Sequence, residues 1–342
     1  MRTEDFQYHL PEELIAQHPC ERRDHSRMMV VDRGRGTFEC RYFYELPEFL
    51  DPGDLLVINN SRVIPAKLSG KKDTGAVIEL LLLEERGFPA TWEVLLRPAK
   101  RVKVGTTVSF GDRSRAEVIE RISDKKWVVR FHTEDGFDTF LETFGGAPLP
   151  PYIKRGKGKK PDPVDLQRYQ TVYAKAPGSV AAPTAGLHFS REILERLKDQ
   201  ETGITEVTLH VGYGTFLPIE TERVEDHEME SESFEIDEMA AGKINGAGRI
   251  VAVGTTAVRT LEAASDADGT VRAGSGKTSL FIYPGYRFKV VDRLLTNFHL
   301  PASSLFLLVC AFAGRDLMGR VYQRAVEERF RFYSYGDCML IR

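Results

Sequence analysis

The chain has 342 residues, with 47 Lys and Arg against 50 Asp and Glu, for a formal charge of -3. That balance excludes a strongly basic protein but leaves room for a local basic patch, and the length is comfortable for two domains whose cores need neither disulfides nor structural metal. The four cysteines, Cys20, Cys40, Cys310 and Cys338, form no C-x-x-C pair, which excludes a zinc ribbon and a thioredoxin-type motif and points to free thiols in a reducing compartment.

The first segment, "MRTEDFQYHL", has no apolar centre and does not read as a secretory signal. "PCERRDHSR" then carries Arg22, Arg23 and Arg27. "SRMMVVD" and "GDLLVINN" read as buried strands. From Leu68 to about Pro151 the texture changes to short β-type runs, among them "AVIELLLLEE", "TWEVLLRP", "TTVSFGD", "RAEVIERIS" and "KWVVRFHTE". Turn residues such as Gly87, Gly105, Gly111 and Asp112 separate them, and the even spacing predicts a small barrel or sandwich. After Pro151 helical runs such as "REILERLKDQ", "AVRTLEAAS" and "RVYQRAVEERF" alternate with strands such as "ITEVTLHVG", "RIVAVG" and "SLFIYPG". This predicts an α/β fold: a main mixed-sheet α/β domain, residues 1–67 and 152–342, with an inserted small β-barrel domain, residues 68–151. Two sequential domains are the alternative. The longest apolar run, "LFLLVCAFAG", spans about half a bilayer and reads as a buried helix.

Three motifs fail on inspection. "GSGKT" lacks the glycine that a phosphate-binding loop needs at Val271, and strand-like sequence follows it, so a hairpin turn is the better reading. "HVGYGTF" lacks the third glycine and the helix of a dinucleotide fingerprint, leaving Gly212 and Gly214 to permit a bend. "DHEMESESFE" has acids around His227 but no set of histidine partners for a metal, and reads as a solvated charged segment.

Other motifs survive. "VGTTAVRTLEAAS" is strand, glycine, two threonines and helix, so Gly254, Thr255, Thr256 and Arg259 can hold an anion, with a threonine as cap. "LLTNFHLPASS" places Asn297 and His299 before a proline and a buried helix. His188, in "SVAAPTAGLHF", and His210, in "HVGYG", sit in similar junctions of small or polar residues. Open α/β sheets place ligands at such junctions, and imidazoles titrate in the useful range. "LPPYIKRGKGKKPDP" gathers Lys154, Arg155, Lys157, Lys159 and Lys160 beside Tyr152, as a phosphate backbone requires.

Taken together, these stretches resemble one family. "YHLPEELIAQHPCERRDHSRMMVVD", "PGDLLVINNSRVIPAKLSGKK", "RYQTVYAKAPGSVAAPTAGLHFS", "VTLHVGYGTFLPI", "RIVAVGTTAVRTLE", "FIYPGYRFKVVDRLLTNFHLPASSLFLLVCAFAG" and "RFYSYGDCMLI" follow the order of the S-adenosylmethionine:tRNA ribosyltransferase-isomerases of the queuosine pathway. The likeness spans nearly the whole chain and is weakest through the β insertion. Two positions depart from the pattern: Glu230 stands where a histidine is expected in "HEMESE", and Cys338 where alanine is expected before "MLI". The first argues against an indispensable proton-transfer role at that position.

The resemblance implies an α/β domain with an inserted barrel. It also implies transfer of the ribosyl group of S-adenosylmethionine to a 7-aminomethyl-7-deazaguanine at the tRNA wobble position, with isomerisation to the epoxycyclopentanediol of epoxyqueuosine and release of adenine and methionine. The chemistry needs a base beside the sulfonium-bound methylene, a proton for departing adenine and a neutral aminomethyl group. His188 and His210 are the expected proton carriers, with His299 beside them. Gly254, Thr255, Thr256, Arg259 and Asn297 are expected to bind S-adenosylmethionine, and Tyr169, Tyr173 and Tyr286 to stack on a base. The basic loop and Arg62 are expected to meet a tRNA with a GUN anticodon. No metal requirement and no membrane contact are expected, and the protein is expected to act as a cytoplasmic monomer. An RNA-binding module without catalysis and an S-adenosylmethionine-dependent RNA methyltransferase are the alternatives. The first leaves the junction histidines and the "VGTT" turn idle; the second would release S-adenosylhomocysteine rather than adenine and methionine.

Overall fold

The computed structural model describes residues 1–156, 162–216 and 218–342. Near the amino terminus lie β1 (Arg27–Asp32), β2 (Thr37–Tyr42), β3 (Asp54–Asn59) and β4 (Ser61–Val63). Six short strands follow: β5 (Lys67–Lys71), β6 (Val77–Glu85), β7 (Thr91–Arg97), β8 (Thr107–Phe110), β9 (Ser114–Arg121) and β10 (Lys126–His132). Then come α1 (Phe137–Phe144), α2 (Pro163–Arg168), β11 (Ala176–Ser179), α3 (Arg191–Asp199), β12 (Gly203–Leu209), β13 (Glu232–Ile236), α4 (Glu238–Gly246) and β14 (Arg249–Val253). The chain continues with α5 (Thr255–Ala264), β15 (Gly274–Thr278), β16 (Arg293–Asn297), α6 (Ser304–Ala313), α7 (Arg315–Glu327) and β17 (Cys338–Ile341).

The main sheet runs β15-β13-β12-β3-β14-β16-β17-β1-β2. Its centre is parallel, β12 with β3, β3 with β14 and β14 with β16; β15–β13, β13–β12, β16–β17 and β1–β2 are antiparallel, and β17 and β1 form a further parallel pair. The alternation of each central strand explains the two cores. Leu55 and Val57 of β3 face one core, with Met29, Ala252, Leu294 and Met339, under α4 to α7. Leu56 and Ile58 face the other, with Val30, Val251, Leu295 and Leu340, under Phe43, Phe189 and α3. A strand covered on both faces is apolar through its middle, hence Leu55 to Ile58; the buried polar ends are satisfied, Asp54 by Arg249 and Arg293 and Asn59 by the Leu209 backbone.

Strands β5 to β10 close into a six-stranded antiparallel barrel in the order β10-β7-β6-β5-β8-β9. It has its own core, including Leu68, Leu80, Trp92, Val94, Phe110, Trp127 and Phe131, with Phe140 and Leu141 of α1 packed into it. Lys67 and Gly146 bond each other's backbone at the neck, N to O at 3.1 and 2.8 Å. The strands of the sheet come from both sides of this insertion, so the fold is α/β with an inserted barrel.

Three segments differ from their reading in the sequence. "GSGKT" is the edge strand β15 rather than a hairpin turn. Gly276 lies flat against the Phe234 ring, which would sit 3.1 Å from an added Cβ. "SLFIYPG" forms no strand; its apolar side chains pack on the main core as irregular chain. "DHEMESESFE" is solvated only in its first half, because its second half pairs as β13 and buries Glu232. Residues of α6 form a buried helix as read, and among the described residues no helix is long and apolar enough to cross a membrane.

Candidate active site

The parallel strands deliver their carboxyl ends to one edge of the sheet. Asn59 ends β3, Gly254 follows β14, and Asn297 ends β16 opposite Cys338 of β17. Ser26 and Asp337 lie at the same edge, each immediately before the first residue of its strand. A cleft opens there, lined by Ala182 to Ala185, Val211, Thr215, Gly254 to Thr256, Thr296, Asn297, His299 and Leu305. A continuation of it is lined by Tyr152, Ser303, Tyr333 and Ser334.

Gly254 is the residue that starts α5, at a φ of 87°, and no side chain caps the helix. The expected threonine cap is therefore absent: the left-handed turn is one that only glycine takes without strain, and it leaves first-turn amides facing the cleft. Ala185 packs over this turn, 3.5 Å from where a Cβ on Gly254 would stand. The small residues of "SVAAPTAGLHF" thus have two uses. Ala182 to Ala185 form a cleft wall, while Gly186 makes room for the Tyr173 hydroxyl, which any Cβ there would strike.

The hydrogen bonds of Asn297 fix its neighbours. Its Nδ2 donates to the carbonyls of Tyr333 and Asp337, both at 3.3 Å, and its Oδ1 accepts from Thr184 Oγ1 at 2.9 Å. With the amide so oriented, one of the two N–H groups of Nδ2 points at His188 Nε2 (3.0 Å) and the longer carbonyl contacts share its donors, so Nδ1 of His188 carries the proton and donates to Ser26 Oγ (2.6 Å). Burial, then the charges of Arg331 and Arg23, push His188 down to about 3. It is a neutral imidazole with both nitrogens engaged.

His299 is different. Its Nε2 bonds Thr296 Oγ1 at 2.9 Å, its backbone N–H donates to the Tyr322 hydroxyl at 3.1 Å, and its carbonyl accepts from Tyr8. Its ring lines the cleft with Nδ1 bonded to no protein atom among the described residues. Burial pushes it down to about 3 as well. His210 lies outside the cleft, against Gly178 of β11, with Nδ1 buried and without a hydrogen-bond partner among the described residues. Burial lowers it too, opposed by Glu235. The structure therefore groups His299, Asn297, Gly254, Thr255 and Thr256 in one hollow, sets His188 behind Asn297, and leaves His210 aside.

Other expected site residues are placed elsewhere. Arg259 is buried in an ion pair with Glu232 and also donates to the Leu280 carbonyl (3.0 Å), so its charge is already met and it does not reach the cleft. Glu232 in turn accepts from the Gly212 amide (2.8 Å) and Thr215 Oγ1 (3.0 Å), and so holds the cleft-lining turn. Tyr169 and Tyr173 are core residues, and the Tyr286 hydroxyl donates to Glu262 at 3.1 Å, so none of the three lines the cleft. Arg62 is exposed. Lys154 pairs with Glu12, and Arg155 is held by both oxygens of Asp165 at 2.8 Å each, so Arg155 serves first to anchor the loop. Lys157, Lys159 and Lys160 lie outside the described residues. Among the described residues no group of His, Cys, Asp or Glu is arranged to hold a metal ion.

Sequence reasoning missed Thr184, Thr215, Ser303, Tyr333 and Ser334. Their sequence carries no local signal; only the structure marks two of the segments, where Ala302 and Tyr333 take left-handed backbone, φ 48° and 72°, beside Ser303 and Ser334. Non-glycine residues hold that conformation only where the surroundings fix it, and such positions gather at functional sites.

A ligand cleft at the carboxyl edge of parallel strands, with a buried neutral imidazole and an uncapped helix start, defines an α/β enzyme with an added barrel. The sequence profile of the queuosine biosynthesis protein family matches residues 3–341, and the chain belongs to that family. The S-adenosylmethionine:tRNA ribosyltransferase-isomerase of Syntrophus aciditrophicus is 56% identical over 360 residues, covering 100% of this chain and 99% of the relative. That of Natranaerobius thermophilus is 51% identical over 348 residues, covering all of both chains. The crystal structure of the S-adenosylmethionine tRNA ribosyltransferase from Thermotoga maritima, 38% identical, matches with a TM-score of 0.55 over 99% of this chain and 100% of that one.

Proposed function

We propose that this protein is an S-adenosylmethionine:tRNA ribosyltransferase-isomerase. It moves the ribosyl group of S-adenosylmethionine to the aminomethyl group of a 7-deazaguanine at the wobble position, forms the epoxycyclopentanediol, and releases adenine and methionine. The observation that carries the reading is the cleft that joins the "VGTT" helix start to Asn297 and His299, in a chain matched to the family from end to end.

Within that cleft the first-turn amides at Thr255 and Thr256 meet the methionine carboxylate, since a helix start attracts an anion. His299 Nδ1 takes or delivers the proton at the reacting ribose or at adenine. A neutral imidazole is the form that can accept, and burial keeps His299 in that form. Asn297 orients His188, and through it the Ser26 end of the site. The tRNA carries a GUN anticodon, whose unpaired wobble nucleotide can be splayed into the cleft. The protein works as a cytoplasmic monomer without a metal.

The test is a chromatogram of small products with precursor-bearing tRNA supplied. Free adenine and methionine are expected, with epoxyqueuosine in the digested tRNA. S-adenosylhomocysteine would establish a methyltransferase instead, and unchanged S-adenosylmethionine with bound tRNA a module without catalysis.

A further inference from the structure

On the far side of His188 from the cleft lies a second hollow, lined among others by Cys20, Arg23, Arg168, His188, Arg331 and Tyr335. Its electrostatics are one-sided. Arg331 meets a carboxylate, Asp337 at 3.3 Å. Arg23 bonds only the carbonyls of Leu187 and Gln167, both at 3.1 Å. Arg168 bonds the carbonyls of Cys20 and Glu21, the latter at 3.1 Å, and its Nε is buried with no acceptor. Neither Arg23 nor Arg168 makes an ion pair among the described residues, so two guanidinium charges stand without a counter-charge. Each is oriented by main-chain carbonyls, which position a cation without neutralising it.

The surroundings favour a polyanion over a lone carboxylate. On one side the basic loop is tied to this wall: Lys154 N–H donates to Gln17 Oε1 (2.7 Å) and Arg155 Nη1 to the Gln17 carbonyl (2.9 Å), just ahead of Cys20. On the other, the turn that carries Arg23 also carries His25, edge-on to Tyr44 at 5.5 Å. Tyr44 stacks on Tyr42 with centroids 5.4 Å apart, and both rings are well exposed, at 39% and 46%. Lys154 and Arg155 are themselves paired with Glu12 and Asp165, so the free cations of this wall, among the described residues, are Arg23 and Arg168; with exposed, parallel rings beside them they meet the physical requirements of single-stranded nucleic acid.

We propose that the Arg23–Arg168–Arg331 hollow holds a phosphodiester of the RNA substrate, fixing the strand whose base enters the cleft beyond His188. This rests on the tRNA reading above.

The test reads binding without turnover. Affinity for an in vitro transcript of a GUN-anticodon tRNA is measured by filter binding over a range of KCl concentrations for wild type, R23Q, R168Q and R168K. S-adenosylmethionine affinity is measured by calorimetry on the same preparations. Each Gln variant is expected to lower the slope of log affinity against log salt by about 0.7, the value of one phosphate contact. R168K is expected to keep the wild-type slope, because it keeps the charge while losing the fork that holds two carbonyls. S-adenosylmethionine affinity is expected to stay unchanged throughout. Unaltered slopes in R23Q and R168Q overturn the proposal. So does a fall in S-adenosylmethionine affinity with tRNA binding intact, which would give the hollow to the methionine carboxylate. An R168K slope as low as that of R168Q would mark a structural role and also overturn it. If the chemistry proposed above fails, these slopes remain; if the hollow fails, the identity of the small products remains.

Discussion

Which imidazole can move a proton depends on which ring nitrogens the fold has already engaged. Asn297 and Ser26 hold both nitrogens of His188, whereas His299 keeps Nδ1 open to the cleft. Replacing His299 by Ala is therefore expected to lower kcat by about 100- to 10,000-fold with the tRNA KM little changed, as steady-state kinetics will show. Replacing His210, outside the cleft, is expected to lower kcat far less. Both buried rings also tie stability to pH. With folded values of about 3, His188 and His299 stay neutral where the unfolded chain, near 6.5, takes up protons. Below pH 6.5 the unfolded state binds more protons, so stability is full above that value and falls as pH drops toward 3. Each ring contributes a slope of up to about 1.4 kcal/mol per pH unit in that window. Urea unfolding at pH 7 and pH 5 measures it; an H299N variant with the wild-type slope would show that this ring is not held neutral.

At the scale of elements, the turn into α5 and the β13–α5 ion pair shape the cleft wall. Gly254 at φ 87° admits no other residue without strain, so G254A is expected to cost about 1–2 kcal/mol and to raise the KM for S-adenosylmethionine by tilting the helix-start amides. Glu232 and Arg259 are both buried, and each alone would be an uncompensated charge. E232Q and R259M are each expected to destabilise by about 3–5 kcal/mol, and the double replacement by less than their sum, in a double-mutant cycle of unfolding free energies. These same elements mark what the sequence made legible. Gly254 was readable because strand, glycine and helix are consecutive in the chain. The barrel was readable because its strands alternate at short spacing, and α6 because a continuous apolar run of that length has few other homes. The role of Arg259 was not readable: its partner sits 27 residues away on a segment whose acids look solvated until β13 pairs. The tyrosines failed for a related reason. A ring that suits a base also suits a core, and only tertiary packing assigned Tyr169 and Tyr173 to the latter. The division of labour between His188, His299 and His210 depends on hydrogen bonds from distant strands, which local pattern does not carry.

For the whole molecule the open question is how firmly the barrel is coupled to the sheet. Its core is separate, reached from the sheet side by Val180 and Tyr213. Among the described residues two ion pairs span the parts, Lys126 to Glu230 at 2.8 Å and Lys277 to Glu84 at 2.6 Å. All four side chains are substantially exposed, and such pairs contribute little, about 0–1 kcal/mol each. The chain supplies a natural reporter. It has two tryptophans, Trp92 and Trp127, and both belong to the barrel core, whereas α3 to α7 flank the sheet. Fluorescence therefore follows the barrel, and the helical circular dichroism signal follows mainly the sheet domain. Gly70 offers a local wedge: a Cβ there would meet Val108 at 2.6 Å and Phe110 and the Ser109 carbonyl at 2.8 Å, at the seam where β5 meets β8 by the single pair Lys71–Ser109. G70A is expected to destabilise the barrel by about 1–3 kcal/mol, the usual effect of overpacking. The fluorescence midpoint in urea should then move to lower concentration while the circular dichroism midpoint stays in place. If the two midpoints move together, the barrel and the sheet unfold as one cooperative unit, and the light contacts between them carry more coupling than their exposure implies.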